Sequence, residues 1–163
     1  MVLIKVKKRL FFILMAVVLF CSLGLNVYHY MKPYATETSA DSDGKGEIEI
    51  FDVEKGQVIM RIEPSSKVQK QAESYLNGIT GMYVKAKPFP DKGHIIKIPM
   101  NPPARANSRW LKNYGINSVS KVFIIFPGEE KPYLLVLDKE ERPLFYEFDG
   151  DTDALLDELD FQP

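Results

Sequence analysis

The arrangement closest to a ligating constellation lies near the C-terminus. Asp149-Gly-Asp151-Thr-Asp153 puts acids at positions 1, 3 and 5 of a loop, and Asp157 and Asp160 fall at positions 9 and 12. Carboxylates at these spacings are how a calcium loop wraps its ion. Position 6 is Ala154, where the turn needs glycine, and position 12 is aspartate, where a bidentate glutamate is usual. Leu155 and Leu156 then continue the segment as an apolar helix edge, so it reads as a helix N-terminus. Asp151 or Thr152 serves as its cap, with the acids favoured by the helix dipole.

His94 has no cysteine and no second histidine after residue 29, which leaves no zinc set and no Cys-His dyad. It reads as a structural histidine among Ile95, Ile96 and Ile98. Gly-Xaa-Ser-Xaa-Gly, the phosphate-binding P-loop and Gly-Xaa-Gly-Xaa-Xaa-Gly are absent from the sequence, and no cofactor or metal is expected. Carboxylate chemistry would have to use residues such as Asp91, Glu63 or Glu73, paired and buried so that one pKa rises.

The broadest signal is charge. Residues 55–121 hold twelve Lys or Arg against Glu63, Glu73 and Asp91, whereas residues 138–163 hold ten acids against Lys139 and Arg142. Arg61, Lys85, Lys87 and Lys97 fall on expected strands at spacings that place several on one sheet face, and Arg105, Arg109 and Lys112 extend the set. A cationic face attracts anionic partners. Outside a cell these are anionic lipid or wall polymer, and nucleic acid is not expected.

These residues need a scaffold. Alternation over 47–53 and 58–62 around Glu-Lys-Gly-Gln predicts a β-hairpin with Ile48, Ile50 and Asp52 on one face. Pro64-Ser65-Ser66 starts a helix that carries Val68, Ala72, Leu76 and Ile79 at helical spacing, with Gly78 and Gly81 as stops. Strands are expected at 82–87 and 94–98, separated by Pro88 and Pro90, and a proline loop at 101–106. Asn107 or Ser108 then caps a short helix bearing Trp110, Leu111 and Tyr114. The near-repeat Glu129-Glu-Lys-Pro-Tyr-Leu134 and Glu140-Glu-Arg-Pro-Leu-Phe145 marks two charged turns, each entering a strand. With the wholly apolar 122–126, they describe a meander of strands at 122–126, 133–137 and 144–148. Leu155, Leu156 and Leu159 line a closing helix. Hairpins outnumber any βαβ pattern, so the expected fold is α+β, a mainly antiparallel sheet with one main helix packed on it.

Ahead of this domain, Lys5, Lys7, Lys8 and Arg9 precede the apolar run 10–27, which is long enough as a helix to approach the ~30 Å hydrocarbon core. Tyr28, Tyr30 and Tyr34 supply interfacial rings. Cys21 follows Phe20, where a lipoprotein signal needs a small residue, and the Gly-Phe junction with its following Glu that marks a type IV pilin leader is missing. The sequence therefore predicts a cytoplasmic basic leader at 1–9, a single transmembrane anchor at 10–30, a polar tether at 31–46 and a domain at 47–163 on the far side. The function expected of such a chain is that of a membrane-tethered, noncatalytic binding or accessory module of the bacterial cell envelope. A carboxylate-dependent envelope enzyme, or a structural subunit contacting another membrane protein, is the alternative.

Overall fold

The computed structural model describes residues 46–163; the basic leader, the expected anchor and all of the expected tether but Gly46 lie outside them. Among the described residues no helix is long and apolar enough to cross a membrane. Seven strands, β1 (Ile48–Asp52), β2 (Gln57–Ile62), β3 (Ile79–Met82), β4 (His94–Arg105), β5 (Ser118–Phe126), β6 (Tyr133–Leu137) and β7 (Pro143–Phe148), form one sheet. Its order is β2-β1-β4-β5-β6-β7-β3, and every neighbouring pair is antiparallel. Three helices accompany it: α1 (Ser66–Asn77), α2 (Arg109–Asn113) and α3 (Asp153–Glu158). This is the expected α+β class, with the apolar 122–126 run inside β5 at the centre of the sheet.

One face, the inner one, carries the main core. Ile50, Ile96, Ile124, Leu134 and Tyr146 lie side by side across five strands, each fully buried. Val68, Ala72 and Leu76 of α1 cover them at the helical repeat. Ser65 caps α1 by accepting the amide of Val68, at 3.1 Å. The same hydroxyl donates to Glu158, whose other oxygen meets Lys67 at 2.7 Å, so the start of α1 is tied to the end of α3.

Several boundaries differ from the sequence reading, and β5 begins at Ser118, four residues before the expected 122–126. Helix α1 stops at Asn77, and Ile79 belongs to β3. That strand ends at Met82 in place of spanning 82–87, because it pairs only with β7 and the chain leaves the sheet edge after Tyr83 donates to Phe145. Val84, which a strand over 82–87 would turn to the same side as Met82, is 84% exposed. The proline segment is no separate loop: β4 runs through it to Arg105 across an irregularity between Pro99 and Ala104. The register shifts again between Ile50 and Phe51, where Met60 and Val58 face successive β1 residues and Ile59 is the extra residue of a bulge.

Asp138 organises the β6–β7 turn. Its Oδ1 accepts the amides of Glu140 and Arg142, both at 2.9 Å, and its Oδ2 accepts Arg142 Nε at 2.7 Å. Burial alone would raise its pKa, but these donors together hold the carboxyl below its ordinary value. Asp52, bonded to Lys55, and Glu158, bonded to Lys67, are lowered likewise. A carboxyl whose folded pKa is depressed contributes stability that is complete above its unfolded pKa, about 4, and is lost as pH falls through the folded value. The melting temperature is therefore expected to hold near neutrality and decline below about pH 4, and Asp138→Asn should blunt that decline. A variant with an unchanged acid limb would show that Asp138 contributes nothing to it.

Candidate binding groove on the outer sheet face

The second face of the sheet is apolar as well. Two cross-strand rows follow from the register: Val58, Phe51, Ile95, Ile125 and Tyr133 in one, and Arg61, Glu49, Lys97, Phe123, Leu135 and Phe145 in the other. The first row is apolar throughout; the second begins with three charges and turns apolar at β5.

Part of this face, over Tyr133 and Phe145, is covered by the segment 83–92, which crosses it as a strap. Tyr83 stacks on Tyr133 with centroids 3.8 Å apart, Phe89 meets Phe145 edge-on at 5.2 Å, and the Tyr133 hydroxyl donates to the Pro88 carbonyl. Burial, followed by the neighbouring Tyr83, pushes the Tyr133 phenol well above its ordinary pKa. Lys85 closes the strap on Glu130 and lies 5.4 Å from the Tyr83 ring; the Glu130 carboxylate holds Lys85 above the usual lysine range.

Beside the strap the face stays open as a groove of about 470 Å³. Its floor and walls are Phe51, Val58, Phe89, Ile95, Phe123, Leu135, Leu137 and Pro143, and its rim is Glu49, Lys97 and Glu141. Glu49 is shared by Lys97 at 3.4 Å and Arg61 at 3.3 Å, which leaves the rim charged but internally compensated. An apolar floor inside a polar rim is the anatomy of a binding surface. Sequence reasoning missed this groove, although the signal was there: β5 and β6 are apolar at both alternating sets of positions, so neither of their faces is meant for water.

The seven cations proposed from sequence do not form one face. Arg61 and Lys97 share the outer face on β2 and β4 and are paired as above. Lys85 and Lys87 lie on the strap in place of a strand, because that segment has no strand to pair with, and they meet Glu130 and Asp91. Arg105 ends β4, and Arg109 and Lys112 belong to α2; these three make no ion pair with another described residue. The carboxylates Glu63, Glu73 and Asp91 sit on three different segments, none of them buried, with Asp91 2.6 Å from Lys87.

His94 opens β4 with its ring edge-on to Phe161, Nε2 3.9 Å from Asp52 and Nδ1 buried without a hydrogen bond among the described residues. The acidic 149–160 segment is the start and body of α3, where Asp151 accepts the amide of Asp153 at 2.9 Å; Thr152 occupies the cap position without a side-chain bond. Among the described residues no three His, Cys, Asp or Glu side chains come together as a metal site. No family model, curated protein or solved structure matches the chain.

Proposed function

We propose that this chain is a membrane-tethered, noncatalytic binding module of the bacterial cell envelope, with its N-terminus in the cytoplasm and the described domain outside. In this reading a partner protein lays an apolar segment into the outer-face groove. The observation that carries it is the partly exposed stretch of Phe51, Ile95 and Phe123, three side chains from three adjacent strands that border the groove with buried Leu135 in its floor, beside a strap that covers Tyr133 and Phe145 of the same face. Water against that surface is unfavourable by roughly 25 cal/mol per Å² of apolar area, and the charged rim favours a protein surface with its own polar margin over a bare hydrocarbon chain. The anchor rests on the basic cluster ahead of the apolar run 10–27.

A photoreactive residue placed at Leu137 in the native cells is expected to give one discrete adduct. External protease should degrade that adduct in intact cells, and Phe123→Glu should abolish it. An adduct of twice the chain's mass would assign the groove to self-association, and no adduct would remove the binding reading. Protection of the adduct while a surface control is cleaved would reverse the topology.

A further inference from the structure

The unpaired cations Arg105, Arg109 and Lys112 of the described domain gather at one end of the sheet. The chain enters at Gly46, which packs on Pro99, and β1 starts beside the middle of β4. The rest of β4, the helix α2 and the start of β5 all lie beyond that point, at the entry end of the sheet. Arg105, Arg109 and Lys112 protrude there, exposed and without an acid partner among the described residues. Between them the half-buried Trp110 carries the Arg109 guanidinium 5.3 Å from its ring centroid, and Tyr114 is 48% exposed. Acids at this end are largely taken: Glu47 lies 3.7 Å from Arg61 and Glu140 meets Arg142, with Glu63 and Glu141 remaining. At the opposite end Glu129 and Glu130 in the β5–β6 turn meet Lys92 and Lys85, and Asp149, Asp151 and Asp153 after β7 supply the remaining acids.

We infer that Arg105, Arg109, Trp110, Lys112 and Tyr114 form a docking surface for an anionic phospholipid bilayer, which seats the domain with its entry end down. The inference rests on the membrane-tethered reading. Cations attract lipid phosphates, while Trp and Tyr rings prefer the headgroup level, where an apolar body and a polar tip are both satisfied. A guanidinium lying against an indole keeps its charge available at that boundary. Asp149, Asp151 and Asp153 at the far end are repelled by the same surface, which favours the entry-end-down orientation. The sixteen residues of the expected tether reach at most ~55 Å even fully extended, so the bilayer is always close and weak contacts suffice.

Trp110 is the only tryptophan of the chain and therefore reports docking directly. The full chain is added to phosphatidylcholine vesicles, and to vesicles containing phosphatidylglycerol, each with brominated acyl chains as quencher. Flotation reads anchoring and Trp110 quenching reads docking. Flotation with both and quenching only with phosphatidylglycerol at low salt, fading as the Debye length shortens from about 30 Å to about 10 Å, supports the inference. Arg105→Glu with Arg109→Glu and Lys112→Glu should lower the docking equilibrium by a hundredfold or more, roughly fivefold per positive charge removed, with the melting temperature kept. Lys85→Glu with Lys87→Glu should leave it unchanged. Flotation without quenching, or quenching equal in both lipids, overturns the docking surface while the anchor stands. Quenching and flotation with phosphatidylglycerol alone keeps the docking surface and removes the anchor; flotation with neither removes both.

Discussion

Gly93→Ala is expected to unfold the domain or lower its melting temperature by roughly 20 °C or more, the result of a loss on the order of 4 kcal/mol in a domain of this size. Gly93 joins the strap to β4 at φ +104°, and a Cβ there would stand 2.1 Å from the Phe126 carbonyl oxygen and 3.2 Å from the Gly128 nitrogen. Both neighbours are backbone, so no side chain can move aside. The Gly93 carbonyl also accepts the amide of Val53 at 2.9 Å, which ties the clash to the β1–β2 hairpin. Gly56 provides the control. It too has positive φ, +64°, but nothing lies within 4 Å of its would-be Cβ, so Gly56→Ala should cost only about 1 kcal/mol. Thermal melts of the two variants check the pair; equal, small shifts would show that the Phe126 approach is not needed.

The second large effect separates the two sheet faces at adjacent residues. Ile124 is fully buried between Ile96 and Leu134, and Ile124→Ala should cost about 3–4 kcal/mol, the lost transfer energy plus the cavity left behind. Phe123 borders the open groove and is half-buried, so Phe123→Ala should cost about 1–2 kcal/mol despite the larger side chain. Denaturant titration of both variants reads the difference. If Phe123→Ala costs as much as Ile124→Ala, the outer face is core and the groove is not a free surface.

Local rules carried much of this fold. Period-2 alternation located β1 and β2, the charged near-repeat located β6 and β7, and the Ser65 and Ser108 caps and the leucines of α3 could be read because each depends on residues a few positions apart. The strap could not. Residues 82–87 alternate like a strand, but a strand also requires an edge to pair with, and the aromatic residues Tyr83 and Phe89 gain more by covering Tyr133 and Phe145. The Val58 wall of the groove was hidden by a related effect. In a regular strand Val58 shares a face with Met60; the extra residue Ile59 turns Val58 to the outer side beside Phe51, and no pattern in five residues announces that shift. Pairing of the cations with Glu49, Glu130 and Asp91 was equally nonlocal for the first two, whose partners are 12 to 48 residues away.

The bulge in β2 bears on how the open edge of this sheet resists pairing with a strand of another molecule. β2 is the outermost strand on its side, and its outer backbone groups are open to another strand, with Ile59 and Met60 exposed along it. A flat strand of that kind is a template for fibre growth. The extra residue at Ile59 breaks the even spacing of those backbone groups and increases the local twist, while Arg61 and Glu47 add charge where an incoming strand would have to lie. Protection against polymerisation is thus built into the same irregularity that shapes the groove, and deleting Ile59 would both straighten the edge and close the floor beside Phe51.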